Sequence, residues 1–308
     1  IFNFRQFWDG RAQDEFNGVN AFGERDPYAT VYRARNPAQL EAVRVRIKNA
    51  SLASLALAPP LSTFEMSADG RTFLEVGDKI VGSGNSPKVG KKLPRKAGKK
   101  LSMLTPLASQ LVATDDSVLG PYSRSPQPGL NRSYGQMIEA AFKSEWVKAN
   151  RIIRINADGS RTIVNKGQRD PNLEEYSLAE YNFGLIFGLA VQLYQATLVS
   201  DDTPFDRYAA GDRAAMSEQA QQGMVLFFDT VRVRCINCHG GSELTDASHT
   251  RVKALPLRRR EGNLQDRGFN NIGVRPTLED IGLGEVDPWG TPLSMARLAT
   301  LGLFSDPT

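Results

Sequence analysis

The stretch that most constrains this chain is Val231 to Gly241, VRVRCINCHGG, in which Cys235 and Cys238 bracket two residues and His239 follows at once. C-x-x-C-H is the spacing of covalent c-type haem attachment. Two thiols must reach the two vinyl groups on one porphyrin edge while the next imidazole turns under the ring to meet the iron, and a short turn entering a helix does this. These are the only two cysteines of the chain, so no spare thiol is left for a structural disulfide or a four-ligand zinc site. A thioredoxin-type dithiol and an ordinary disulfide between the two cysteines are the alternatives, and both leave His239 unexplained. His239 is therefore the candidate axial ligand, with its second ring nitrogen expected to donate to a backbone or side-chain oxygen.

At 308 residues the chain can bury a sizeable core in one or two domains. With 41% hydrophobic and 23% charged residues, the composition is that of an ordinary globular protein. The longest apolar stretch, Phe183 to Leu193, is interrupted by Gly184 and Gly188 and falls short of the roughly 18 residues a membrane helix needs. No membrane span is expected. A net charge of +4 is too weakly basic to imply nucleic acid without a basic helix or an aromatic groove, so a redox protein is the expected partner. The chain opens on IFNFRQFWDGRA, with neither an initiator Met nor a signal peptide, and is expected to be processed or partial. Haem attachment of this type points to a periplasmic or secreted location.

Patterning predicts a mainly α-helical fold with a small β-hairpin. Pro37 to Leu57 reads as a helix stopped by Pro59 and Pro60, Tyr134 to Ala149 as a helix burying Met137, Ile138, Ala141, Phe142 and Trp146, and Ser177 to Leu198 as a helix apolar almost all round. Ser217 is the N-cap of a helix ending in Leu226-Phe227-Phe228 just before the cysteines, where its aromatics would pack on a porphyrin edge. Two β-favouring runs flank Ala157-Asp158-Gly159, predicting a hairpin over Arg151 to Val164. Gly82 to Lys100, with seven lysines and arginines among Gly and Pro, reads as a solvated loop or, less favoured, a docking site for an acidic partner. From Thr245 onward, Pro256, Pro276, Pro288 and Pro292 prevent long helices.

Several separated stretches together resemble the bacterial dihaem cytochrome c peroxidase superfamily, including its MauG-type and large rubber-oxygenase-like members. They are FWDGRA at Phe7 to Ala12, LAPPLSTFEM at Leu57 to Met66, VSDDTPFDRYAAGD leading to QGMVLFF and CINCHGG, and FNNIGVRPTLEDIGLG at Phe269 to Gly284. In that family a first C-x-x-C-H lies upstream of FWDGRA and the distal ligand of the second haem lies downstream. The resemblance therefore implies the middle of a dihaem oxidoreductase. Residues 1–199 would be part of a peroxidatic-haem domain with insertions, and residues 200–308 a cytochrome c-like domain. Cytochrome c-like helical domains around c-type haem, a second haem c attached outside this segment, a bound calcium and a dimer or larger assembly are further implications.

Residue by residue, the resemblance places Glu65 as the acid over the other haem, where a carboxylate can shuttle a proton between the two oxygens of peroxide. A surface glutamate in a loop is the alternative. Trp8 matches the family tryptophan between the haems, with core packing as the alternative. Asp9 and Arg11 would hold the FWDGRA turn or neutralise a propionate, the structural role being favoured for Asp9. The family glutamine that accompanies the acid falls at Leu55, which removes a polar group and favours a second reading, an electron-transfer cytochrome or haem subunit without turnover of its own. Met295 and His249 are the available sixth ligands, and neither is assigned.

Overall fold

The computed structural model describes residues 2–81, 106–165, 174–260 and 262–304. Two cores organise the first two-thirds of the chain. Strand β1 (Val31–Asn36) pairs antiparallel with β2 (Gln39–Val43), Val31 opposite Val43. Because side chains alternate along a strand, β1 sends Val31 into one core and Tyr32 and Ala34 into the other.

The first core gathers Phe16, Val31, Ala50, Ala53, Leu57, Phe73, Phe183 and Leu185 from the opening segment, β1, α1 (Ser51–Ala56), α2 (Phe73–Val81) and α6 (Phe183–Ala196). Helix α6 can approach α1 this closely because of its glycines. A Cβ on Gly188 would stand 2.6 Å from the Phe16 ring and 2.9 Å from Leu57, and one on Gly184 would stand 2.8 Å from the Gly18 carbonyl oxygen. The two residues that interrupt the apolar run are thus the contact face.

The second core packs Tyr32, Ala34, Ile153, Tyr176, Leu178 and Tyr181. It lies against a three-stranded sheet in the order β4-β3-β5, formed by β3 (Arg151–Ile155), β4 (Arg161–Asn165) and β5 (Glu175–Tyr176). The β3–β4 hairpin is the one expected around Asp158, turning through Gly159 at φ +79°.

Four expectations need correction. The predicted helix from Pro37 to Leu57 is β2, an extended segment and then α1. Val43, Val45 and Ile47 face the core while Arg44, Arg46 and Lys48 face solvent, an alternation of period two that overrides the helical reading. Tyr134 to Ala149 breaks into α3 (Tyr134–Ala141) and α4 (Ser144–Val147), with Phe142 extended between them; Trp146 does pack on the first core.

Ser177 to Leu198 breaks at Asn182 into α5 (Leu178–Tyr181) and α6, and the far end of α6 exposes Leu193 and Tyr194 instead of burying them. The fully buried Asn182 amide accepts from the Tyr32 N–H (3.0 Å) and donates to the carbonyls of Tyr32 (2.7 Å) and Trp146 (2.8 Å), and this polar crosslink fixes the break. Finally, the Asp158 hairpin is not the sole β element, since β1–β2 and a hairpin of β6 (Leu257–Arg260) with β7 (Asn263–Asp266) accompany it. Gly82 to Lys100 lies outside the described residues.

Downstream come α7 (Pro204–Ala209), α8 (Glu218–Phe228), α9 (His249–Ala254), α10 (Ile281–Gly284) and α11 (Met295–Thr300). Ser217 caps α8 as expected, accepting from the Ala220 N–H at 3.2 Å. The opening segment laces this half to the first. Phe4 N–H donates to the Ala247 carbonyl (2.9 Å), buried Arg5 to the Leu293 carbonyl (3.0 Å), and Arg25 pairs with Asp287 (3.1 Å). Burial lowers the Arg5 pKa, with Asp266 opposing that shift. No helix among the described residues is long and apolar enough to cross a membrane.

Candidate functional site

Helix α8 ends at Asp229, whose carboxylate accepts from the N–H groups of Arg232 (2.7 Å) and Val231 (2.8 Å) and from Arg232 Nε (2.6 Å). The Arg232 backbone and side-chain donors, with Val231, hold its pKa down at about 2. The chain then swings through Arg234 in a left-handed conformation (φ 59°) into a 3-10 turn over Cys235–Asn237. The N–H groups of Cys238 (3.2 Å) and His239 (2.9 Å) both donate to the Cys235 carbonyl, so both thiols and the imidazole rise from one helical turn. Cys235 is half-buried, Cys238 is exposed, and both are free thiols.

His239 Nδ1 lies 3.2 Å from the Leu244 carbonyl oxygen. A carbonyl only accepts, so Nδ1 is the donor here, and in the neutral imidazole Nε2 then carries the lone pair. The Phe227 ring sits 6.3 Å from the His239 ring and 5.5 Å from that of Phe228. Val225, Leu226, Phe228, Val231, Val233 and Leu244, on the segments flanking the motif, are all exposed.

The FWDGRA stretch is a tight turn. Phe7 (φ 66°) and Gly10 (φ 67°) are left-handed, the Gly10 N–H donates to the Phe7 carbonyl (3.1 Å), and Asp9, 1% exposed, takes Arg11 Nη1 at 2.7 Å and the Arg11 N–H at 3.2 Å. The Arg11 guanidinium also stacks 4.4 Å from the Phe7 ring centre. Asp9 thus has the structural role favoured from the sequence. Trp8 is 63% exposed. The turn abuts the FNNIGVRPTLEDIGLG segment, because a Cβ on Gly282 would stand 2.2 Å from the Asp9 carbonyl oxygen and one on Gly10 2.7 Å from the Phe269 ring.

Glu65 lies on an exposed turn whose N–H donates to the Ser62 carbonyl (3.2 Å), between exposed Phe64 and Met66. Leu55 is half-buried on α1. His249 is half-buried. Its ring packs 5.9 Å from Phe4 and its Nε2 lies 3.4 Å from Asp14, without hydrogen-bond geometry. Met295 begins α11, its N–H donating to Asp266 at 2.7 Å. A cavity of about 800 Å³ between β6–β7, residues 269–283 and α11 is lined by neither cysteine nor by His239. The sequence reading missed the Leu244 carbonyl and the residues that hold its loop, because a backbone acceptor leaves no mark in residue type.

Comparison with known proteins meets this geometry at the same point. The chain is 44% identical over 99 residues to methylamine utilization protein MauG of Methylophilus methylotrophus, covering 32% of this chain and 26% of that protein. It is 51% identical over 59 residues to cytochrome c peroxidase IdrP1 of Denitromonas iodatirespirans (18% and 15%), and 34% identical over 82 residues to cytochrome c peroxidase Ccp of Escherichia coli (26% and 17%). Over these partial stretches the chain is similar to MauG and to cytochrome c peroxidases. It spans about a quarter of the length of that MauG and less of the two peroxidases. No protein-family profile and no solved structure matches it. The chain carries the C-x-x-C-H turn complete, with a glutamate in the LAPPLSTFEM stretch and a tryptophan in FWDGRA.

Proposed function

We propose that this chain is part of a c-type haem oxidoreductase of the dihaem peroxidase type, with haem c bonded through thioethers to Cys235 and Cys238 and His239 as its axial ligand. The donor set fits the group. Two free thiols and one imidazole share a helical turn, the imidazole tautomer leaves Nε2 as the free donor, and the exposed apolar side chains flanking the turn are surface that a porphyrin would cover. When bound, haem supplies one-electron transfer.

The observation that carries the reading is the His239–Leu244 hydrogen bond, because a dithiol or a simple disulfide has no use for an oriented imidazole at this position. A haem held by Cys235, Cys238 and His239 would supply electron transfer to or from a second haem of the kind that acts on peroxide or dioxygen. Trp8, held exposed on a turn braced by Asp9 and Arg11, presents an indole for that relay, and Glu65 presents a carboxylate able to accept and return a proton. Residues 200–308 form the haem-bearing unit. The partner is a redox protein that donates or accepts electrons, in the periplasm or outside the cell.

A second reading, an electron-transfer cytochrome or a haem subunit of a larger assembly, draws support from the exposed turn that carries Glu65 and from Leu55. The deciding experiment replaces Cys235 and Cys238 with Ser and extracts the purified proteins with acid-acetone. The parent should keep its haem in the protein fraction and the variant should lose it. A variant that still holds covalent haem would refute the assignment.

A further inference from the structure

Three arginines from three elements converge on one carboxylate just past the motif. Asp246 is 2% exposed. Its Oδ1 accepts from Arg267 Nη1 at 2.7 Å and Arg251 Nε at 3.0 Å, and its Oδ2 from Arg258 Nη1 at 3.4 Å. Arg251 belongs to α9 and Arg258 to β6, while Arg267 follows β7 and also donates through its N–H to the Pro256 carbonyl at 2.9 Å. A buried carboxylate must be paired, but one guanidinium would suffice, and three fix its position against three separate pieces of chain.

The same residue reaches back to the motif through its backbone. The Asp246 N–H donates to the Cys238 carbonyl at 2.7 Å, and the residue two before it, Leu244, supplies the carbonyl that takes His239 Nδ1. The loop between begins with Gly240 and Gly241, which have no side chains with which to anchor it. It is held by the Thr250 hydroxyl donating to Glu243 (3.3 Å) and, at its far end, by the arginines that grip Asp246.

We propose that Asp246 is the positioning residue for His239: clamped by Arg251, Arg258 and Arg267, it holds the Leu244 carbonyl on Nδ1 and so sets the donor strength of Nε2 toward haem iron. The inference rests on the reading of Cys235, Cys238 and His239 as a haem site. A firm Nδ1–H···O bond makes the imidazole a stronger donor, which favours oxidised iron. Loss of the carboxylate would loosen that bond and leave three guanidiniums uncompensated near the haem, and both effects favour the reduced state.

The test compares haem-loaded parent with Asp246→Asn, reading covalent haem content, solvent exchange of the His239 Nδ1 proton by NMR, and midpoint potential. Exchange should quicken about 5- to 10-fold, the worth of one ordinary hydrogen bond, and the potential should move upward. Asp246→Glu, which keeps the charge, should recover part of both. A residue that only supported the fold would lower the melting temperature and move neither. Should Asp246→Asn fail to accumulate, Arg267→Gln removes the shortest of the three bonds and must quicken the same exchange. Parent-like exchange and potential in Asp246→Asn, or parent-like exchange in Arg267→Gln, with haem retained, would overturn the role of Asp246 and leave the haem reading standing. Parent protein without covalent haem would overturn both.

Discussion

Gly282→Ala tests the contact that seats the tryptophan-bearing turn on α10. Gly282 is helical and is absent from the positive-φ glycines, so alanine there costs nothing in backbone conformation and gains about 1 kcal/mol of helix propensity. Against that, the new methyl would stand 2.2 Å from the Asp9 carbonyl oxygen, 2.8 Å from its carbonyl carbon and 2.9 Å from its Cα. Carbon contacts relax near about 3.5–4.0 Å, so one backbone must retreat by more than about 1 Å. The turn resists, because Asp9 is buried and tied to Arg11 between two left-handed residues. Overpacking against unyielding backbone costs about 1–3 kcal/mol, so after the propensity gain a net loss of up to about 2 kcal/mol remains. Gly223→Ala is the control. Gly223 lies inside α8 with nothing within 4 Å of a Cβ, and alanine there should stabilise by up to about 1 kcal/mol. Urea unfolding of the parent and both variants gives the comparison, and Trp8 emission, isolated by Trp146→Phe and Trp289→Phe, reports whether the turn has moved. A Gly282→Ala midpoint at or above that of the parent would refute the close approach.

Glu65→Gln keeps the shape of the side chain and removes its proton acceptor, so peroxide turnover by the complete haem-loaded protein should fall about 10²- to 10⁴-fold with the spectrum of the Cys235/Cys238 haem unchanged; parent-like turnover would hand the lead to the electron-carrier reading. Asp229 has a folded pKa of about 2, below its usual 3.8, so its contribution to stability is complete above pH 3.8 and is lost as pH falls through about 2. Asp229→Asn should therefore differ from the parent in acid unfolding above pH 3.8 and converge with it below about 2. Leu57→Ala empties a side chain 1% exposed in the first core and should cost about 2–5 kcal/mol by urea titration.

Much of the local structure was written in residue type. Ser217 as a cap, the Asp158-Gly159 hairpin and the short elements after Thr245 follow from side-chain oxygens, left-handed glycine and proline, all of which act within a few residues of themselves. The C-x-x-C-H turn was legible for the same reason, since its three functional groups lie within five consecutive residues. Helix extent was not. Asn182 looks like an ordinary polar residue in an apolar helix, and only the Tyr32 and Trp146 backbones, brought up from distant segments, explain why the helix breaks there.

The sequence by itself determined which atoms could meet a porphyrin: two thiols, one imidazole and an aromatic helix end, at a spacing that covalent geometry nearly dictates. Tertiary structure decided how that imidazole is held and what surrounds it. Gly184 and Gly188 become a helix contact only when Phe16 and Leu57 arrive from elsewhere, and Asp9 is buried against α10 while its neighbour Trp8 is exposed. The Leu244 carbonyl meets His239 in a loop whose far end is gripped by Arg251, Arg258 and Arg267 at Asp246. Such contacts depend on the positions of segments far apart in the chain, and no local pattern of residue types encodes them.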